Sequence, residues 1–310
     1  PAAGDPTANE INSRRNLELA EVFVNYNDGR SRSFSLTTEA AHVVSDNLRL
    51  RGSYTYTSSY DNSSYSCCTA SSGYTDPTVG AFGPNEIGGI GATDKAWGPS
   101  DFTRNHTFIT SVNATLPFDI RVAGFWRLQS GRPWTPEASG DLNGDGVRFN
   151  DRPYVFSPEN LPLAVSGAAA DTMRAVYSQM LEENACAGDH VGQIVPRNTC
   201  RYPWFNRLDL RLSRAFETLE DQRVELQVDL FNVLNGINNE WGRYLGVFSR
   251  NRNLLVPERY DEVAGQTLYT VPFRRDEDTG EALPTFGTVE AIGDNLTLQF
   301  QARIGLKYYF

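Results

Sequence analysis

At 310 residues the chain is long enough for one large domain or two of ordinary size. No run approaches the roughly 18 consecutive apolar residues of a spanning helix, so a helical membrane protein is excluded. A net charge of −10 without a basic cluster excludes nucleic acid as a partner and reads as solvated acidic loops.

Taking the chain in order, residues 1–15 form a leading segment without periodicity. The opening Pro1-Ala2-Ala3 has no initiator Met, so either a leader was removed or the chain is a piece of something longer. Leu17–Tyr26 is the first candidate strand, with Ala20, Val22, Val24 and Tyr26 on one face but Leu17, Leu19 and Phe23 on the other. Arg32–Ala40 carries Phe34, Leu36, Thr38 and Ala40 together. Leu48–Thr57 sets Leu48, Leu50, Gly52, Tyr54 and Tyr56 against Arg49, Arg51, Ser53, Thr55 and Thr57.

Thr107–Leu116 comes next, with Phe108, Val112, Ala114 and Leu116 on one face. Ile120–Gln129 alternates Ile120, Val122, Gly124, Trp126 and Leu128 against Arg121, Ala123, Phe125, Arg127 and Gln129. Asn206–Phe216 places Leu208, Leu210 and Leu212 opposite Arg207, Asp209 and Arg211. Arg223–Asn235 separates Val224, Leu226, Val228 and Leu230 from Glu225, Gln227 and Asp229. The last element, Leu296–Phe310, puts Leu296, Leu298, Phe300, Ala302, Ile304, Leu306, Tyr308 and Phe310 on one face. At about 3.3 Å per residue and a tilt near 45°, such a segment crosses a bilayer core.

The connections alternate in length. Ala41–Asn47, Leu116–Asp119 and Glu217–Asp221 are short, whereas 58–102, 130–203 and 236–295 are long; Asn27–Arg30 is one short exception among the latter. Short periplasmic turns and long extracellular loops are the habit of an outer-membrane barrel, and hydropathy averages miss such strands because only alternate residues face lipid. The fold class expected is all-β: about eight antiparallel transmembrane strands over residues 16–310, in contact with outer-membrane lipid. Charges such as Arg207, Asp209, Arg211, Glu225, Asp229, Arg303 and Lys307 must then face a lumen.

The chemical inventory is sparse. His42, His106 and His190 fall in separate parts of this topology, and no nucleophile, zinc or phosphate-loop motif accompanies them, so no enzyme is expected. Cys67, Cys68, Cys186 and Cys200 lie in loops and match no zinc spacing, which points to disulfides. Cys186 with Cys200 is the easiest closure, leaving a vicinal Cys67–Cys68 pair, with a cross-link between the two loops as the other arrangement. Asp141-x-Asn143-x-Asp145-Gly146 has the spacing of a calcium loop, with the Val147 carbonyl next in order and Asp151 or Asn150 supplying the last oxygen where Arg152 stands at position 12. An ordinary Asn/Asp/Gly turn without Ca2+ fits the same residues. Asp171–Glu183 spaces Met173, Val176, Tyr177, Met180 and Leu181 as a short helix with Asp171 as N-cap. Tyr65, Tyr74, Trp97, Trp134, Tyr154, Trp241 and Tyr244 are loop aromatics, read as loop core or girdle in preference to cargo contacts.

Three sets of residues carry a resemblance. Gly305-Leu306-Lys307-Tyr308-Tyr309-Phe310 looks like the terminal strand of outer-membrane proteins, in which Leu306, Tyr308 and Phe310 would be the signal read by the barrel-assembly machinery. Val228 to Asn235, with Phe231-Asn232-x-Leu234-Asn235, resembles a strand end of TonB-dependent receptors. Trp97–Arg104, Ser130–Pro136, Asp141–Gly146 and Asn150–Pro153 are similar to the Oar-like subgroup of those receptors. The resemblance covers about Asn16 to Phe310 and implies the C-terminal third of a barrel of about 22 strands. It also implies transport gated by a plug and coupled to the TonB complex through an N-terminal part that this sequence does not contain. The alternative is a self-contained eight-stranded barrel acting as anchor, adhesin or scaffold for other surface proteins, which requires Leu17–Tyr26 to pair with Leu296–Phe310.

Overall fold

The structure is a computed structural model describing residues 29–64, 96–140, 142, 150–218, 222–291 and 299–310; the expected strand Leu17–Tyr26 lies outside them. Among the described residues seven long strands carry the sheet: β1 (Ser31–Ser45), β2 (Leu48–Asp61), β3 (His106–Leu116), β4 (Ile120–Gln129), β5 (Phe205–Glu217), β6 (Arg223–Phe231) and β7 (Gln301–Tyr309). Each pairs antiparallel with the next, in sequence order, so the sheet is an up-and-down meander. Among the described residues β1 and β7 are its outer strands and do not pair with each other.

Register explains the sequence pattern. Directly opposed residues share a face, and one row runs Leu48, Ala114, Val122, Leu212, Val228, Ile304. The adjacent row on the opposite face runs Arg49, Asn113, Ala123, Arg211, Asp229, Arg303. Apolar and polar faces therefore hold their identity across the whole sheet, and a slip of one residue in any strand would exchange them. Ile304, Leu306 and Phe34 remain exposed on the apolar face. A strand of ten residues such as β4, tilted near 45°, rises about 24 Å, the height of an outer-membrane apolar band.

Aromatic side chains mark both ends of that face. Near the short turns stand Phe118, Phe216, Tyr308 and Phe310, with Tyr308 stacked on Phe310. Toward the long connections stand Tyr54, Tyr56, Phe108, Trp126 and Trp204, where the Tyr54 hydroxyl meets His106 Nδ1 at 2.8 Å and Trp126 Nε1 donates to Asn206 Oδ1 at 2.6 Å. Rings with an apolar body and one polar atom suit such boundaries.

Several boundaries differ from expectation. β1 continues to Ser45, so the turn shrinks to Asp46-Asn47 and His42 lies in a strand opposite Leu50. The turn after β3 closes through Phe118 and Asp119, both at positive φ, as the central residues of the tightest hairpins are. β6 stops at Phe231 because Asn232 turns left-handed, and a helical turn spans Val233–Ile237. In the last segment Gln299 and Phe300 are not strand, and 292–298 lie outside the described residues.

The largest departure concerns the long connections. The described residues of segments 130–203 and 236–291 fold together around a core containing Trp134, Val155, Phe156, Leu161, Val176, Tyr177, Met180, Leu254, Leu255, Val271 and Phe286. Helix α1 (Ala168–Glu183) buries Ala170, Val176, Tyr177, Met180 and Leu181 there. It starts three residues earlier than expected because Ala168-Ala169-Ala170 extend it, so its N-cap is Gly167 and Asp171 sits within the first turn. Glu137–Ala138 pairs parallel with Asn253–Asp261, which pairs antiparallel with Gln266–Thr270, knitting the two connections into one layer.

Candidate functional site

The polar face is a network of charges. Asp229 accepts from Arg211 Nε at 2.6 Å, Arg303 Nη2 at 2.6 Å and Gln227 Nε2 at 2.8 Å, so one buried carboxylate ties β5, β6 and β7. Arg207 Nε reaches Asp209 at 2.9 Å, and the same carboxylate accepts the Asn232 amide at 2.8 Å. Arg51 with Glu39 is an exposed pair, worth well under about 1 kcal/mol. Basic side chains exceed acidic ones on this face: Arg49, Arg51, Arg121, Arg127, Arg207, Arg211, Arg223, Arg303 and Lys307 against Glu39, Asp61, Asp209, Glu217, Glu225 and Asp229. The acidity of the chain therefore resides elsewhere, largely in the connections.

At the long-connection end the layer is fastened to the strands. Arg197, fully buried, donates to Asp61 Oδ1 at 2.8 Å, to the Asp61 carbonyl at 2.7 Å, to Ser64 Oγ at 2.8 Å and to the Ala96 carbonyl at 3.2 Å. Asn198 reaches the Pro99 carbonyl and Asp101. Arg104 donates to the Ser130 carbonyl and the Tyr244 hydroxyl, while Phe205 meets Tyr244 edge-on. Two glycines permit close approach. A Cβ on Gly131 would strike the Tyr202 carbonyl, and one on Gly242 would strike the Asn232 side chain, which donates to the Gly242 carbonyl at 3.0 Å.

The two asparagines of the Phe231-Asn232-x-Leu234-Asn235 stretch thus have mechanical roles. Asn232 holds the chain reversal, and Asn235 donates to the Asn239 and Trp241 carbonyls while accepting the Phe300 amide at 3.0 Å.

Glu137, buried in the layer, has its carboxyl pushed up to about 7 because burial outweighs the attraction of Arg252 at 3.5 Å, with Asp101 adding repulsion. A raised carboxylate binds its proton more tightly folded than unfolded, so stability falls as pH rises from about 4.5 to about 7 and is level above that. The layer is expected to resist proteolysis better at pH 5 than at pH 7.5, by a few kcal/mol in opening free energy, and Glu137→Gln is expected to remove most of that difference. An unchanged pH profile in the variant refutes the assignment.

The expected site residues divide into three groups. Cys186 and Cys200 are bridged, with Cα atoms 5.1 Å apart, while Cys67 and Cys68 lie outside the described residues. Reducing this bridge, which spans 14 residues, is expected to cost the layer about 3 kcal/mol, read as faster cleavage by a protease with the strands unaffected. Leu306 and Tyr308 share the apolar face with Leu226 and Val224, and Phe310 beyond them is fully exposed. Asp141, Asn143, Asp145 and Val147 lie outside the described residues. Asp151 and Asn150 are within them, each 1 % exposed, and Asp151 Oδ2 accepts the Leu142 amide at 2.6 Å. Among the described residues no three His, Cys, Asp or Glu side chains cluster as metal ligands.

Of the loop aromatics, Trp134 is core, Tyr154 packs on the core, Trp97 stacks on Tyr60, Trp241 is exposed and Tyr244 stands between two arginines. Tyr65 and Tyr74 lie outside the described residues. The fastening by Arg197 and the bond from Arg104 to Tyr244 had no signal in the sequence, since the partners are 96 to 140 residues apart.

No curated protein and no solved structure matches the chain. A family model described as "Outer membrane beta barrel domain" matches residues 1–240. With two-faced strands of membrane-crossing length, aromatic belts at both ends and a match over most of its residues, the chain belongs to the outer membrane beta barrel domain family and to the bacterial outer membrane.

Proposed function

We propose that the chain is the C-terminal barrel portion of a TonB-dependent receptor of the Oar-like kind, in which a plug gates passage of cargo through the lumen. The observation that carries this reading is the folded layer over 130–203 and 236–291, with its own core, fastened to the strands at the end opposite the short turns. A small anchor needs no such superstructure, whereas a receptor needs a shaped entrance made of its extracellular loops. The charged inner face, with Asp229 and Asp209 set among arginines, supplies polar partners for a plug. The strand-end asparagines give the receptor-like motif a physical purpose. In this reading the barrel-assembly machinery recognises Leu306, Tyr308 and Phe310, and the TonB complex engages a preceding domain.

Reading the gene immediately upstream of Pro1 tests it. A plug-like domain preceded by an energy-coupling segment is the expected result. A signal-peptidase site directly before Pro1 overturns it and favours the self-contained barrel or scaffold.

We further propose Ca2+ as the ligand of the 141–152 loop. Support comes from the Asp-x-Asn-x-Asp-Gly spacing and from Asp151, whose carboxylate folds back onto the Leu142 amide. Calorimetric titration of the full-length protein is expected to show saturable uptake of calcium, abolished by Asp145→Ala. No heat at about 1 mM calcium, the weak end for extracellular calcium modules, sinks the idea.

A further inference from the structure

We infer that Arg104, Arg127, Arg132 and Arg207 form a binding site, at the entrance of the lumen, for a small ligand bearing carboxylate or phosphate groups. Two of these guanidiniums address one ring: Arg104 lies 5.4 Å and Arg132 5.8 Å from the centroid of Tyr244. Arg104 also donates to the Tyr244 hydroxyl at 2.8 Å and to the Ser130 carbonyl at 2.9 Å, so its plane is fixed. Arg127 and Arg207 are register partners on the polar face of β4 and β5, an arrangement of like charges that a sheet ordinarily avoids. Phe205, beside Gln129 in the same register, packs on Tyr244 and brings the two halves together.

The carboxylates do not balance this cluster. Arg207 has Asp209, which is also held by the Asn232 amide. Arg104, Arg127 and Arg132 have no ion pair among the described residues; Arg127 stacks on Phe125, and Arg132 Nε is buried without a hydrogen-bond acceptor. Burial lowers the affinity of Arg104 for its proton, the Tyr244 hydroxyl partly offsets this, and repulsion from Arg132 and Arg127 adds to the lowering. Guanidinium forks recognise carboxylate and phosphate through paired hydrogen bonds, and an oxyanion here would relieve the repulsion while filling the open donors. Because Arg127 and Arg207 face away from lipid, headgroup phosphates do not reach them.

Assigning this ligand as cargo rests on the receptor reading, but binding itself does not. Calorimetry on the full-length protein in detergent, with citrate and inorganic phosphate as probes, is the test. Saturable binding of at least one is expected, weakened tenfold or more by Arg132→Gln and by Arg104→Gln. Arg132→Lys is expected to recover only part of it, and Arg250→Gln, at an exposed pair with Glu290, to leave it unchanged. Folding of each variant is checked by heat-modifiable electrophoretic mobility. Absence of saturation at about 10 mM probe, or equal weakening by Arg250→Gln, overturns the site. The receptor reading fails on a different observation, the sequence upstream of Pro1, so the two are separable.

Discussion

Ile304→Lys is expected to destabilise the folded barrel by about 2–4 kcal/mol, whereas Gly305→Lys, one residue along the same strand, is expected to change it by less than about 0.5 kcal/mol. Ile304 is 76 % exposed on the apolar face, opposite Val228 and in the row through Leu212 and Val122, midway between the two aromatic belts. An ammonium there must enter hydrocarbon or drag water with it. Gly305 faces the other way, opposite Gln227, with open space where its Cβ would be. Urea unfolding of the full-length protein in lipid vesicles, tracked by heat-modifiable mobility, measures both. A larger cost at Gly305 would mean that the faces have been assigned backwards, and equal costs that neither face meets hydrocarbon.

Arg197→Met is expected to loosen the folded layer from the strands while leaving the strands folded. The guanidinium is fully buried; Asp61, the nearer and more buried of its two ion-pair partners, also accepts from Ser64, while Asp101 stands 3.5 Å away and half-exposed. Removing one member of a buried pair leaves the other charged and dry, a cost of about 3–5 kcal/mol, much larger than the net worth of the pair. The Met variant is therefore expected to be cut within 130–203 by protease far sooner than the wild type. Joint replacement, Asp61→Leu with Arg197→Met, is expected to recover a substantial share, because the stranded charge is gone. Unaltered cleavage in the single variant would show that the layer is anchored by other contacts, such as Asn198 with Asp101.

How much of this was legible beforehand differs by element. Phe108, Val122, Leu210 and Leu226 could be assigned to one face from alternation alone, since side chains reverse face with every residue and lipid tolerates only one kind of surface. The Cys186–Cys200 bridge is one of the pairings the sequence left open, its easiest local closure, and the structure forms it. Strand ends were less legible. His42 and Val43 read as turn but extend β1, and Asn232 to Asn235 read as strand but reverse direction, because the Asp209 carboxylate and the Gly242 carbonyl capture Asn232. Asp141, Asn143 and Asp145, proposed as calcium ligands from their spacing, lie outside the described residues.

By itself the sequence determined the two faces of the described strands and that short connections join them in pairs, because both depend on neighbours a few residues apart. Only the tertiary structure decided that segments 130–203 and 236–291 share one core, that Arg197 closes over Asp61, and that Arg104 and Arg132 meet at Tyr244. Those contacts join residues far apart along the chain. Burial and ion pairing act through space, and no periodic pattern along the chain records them.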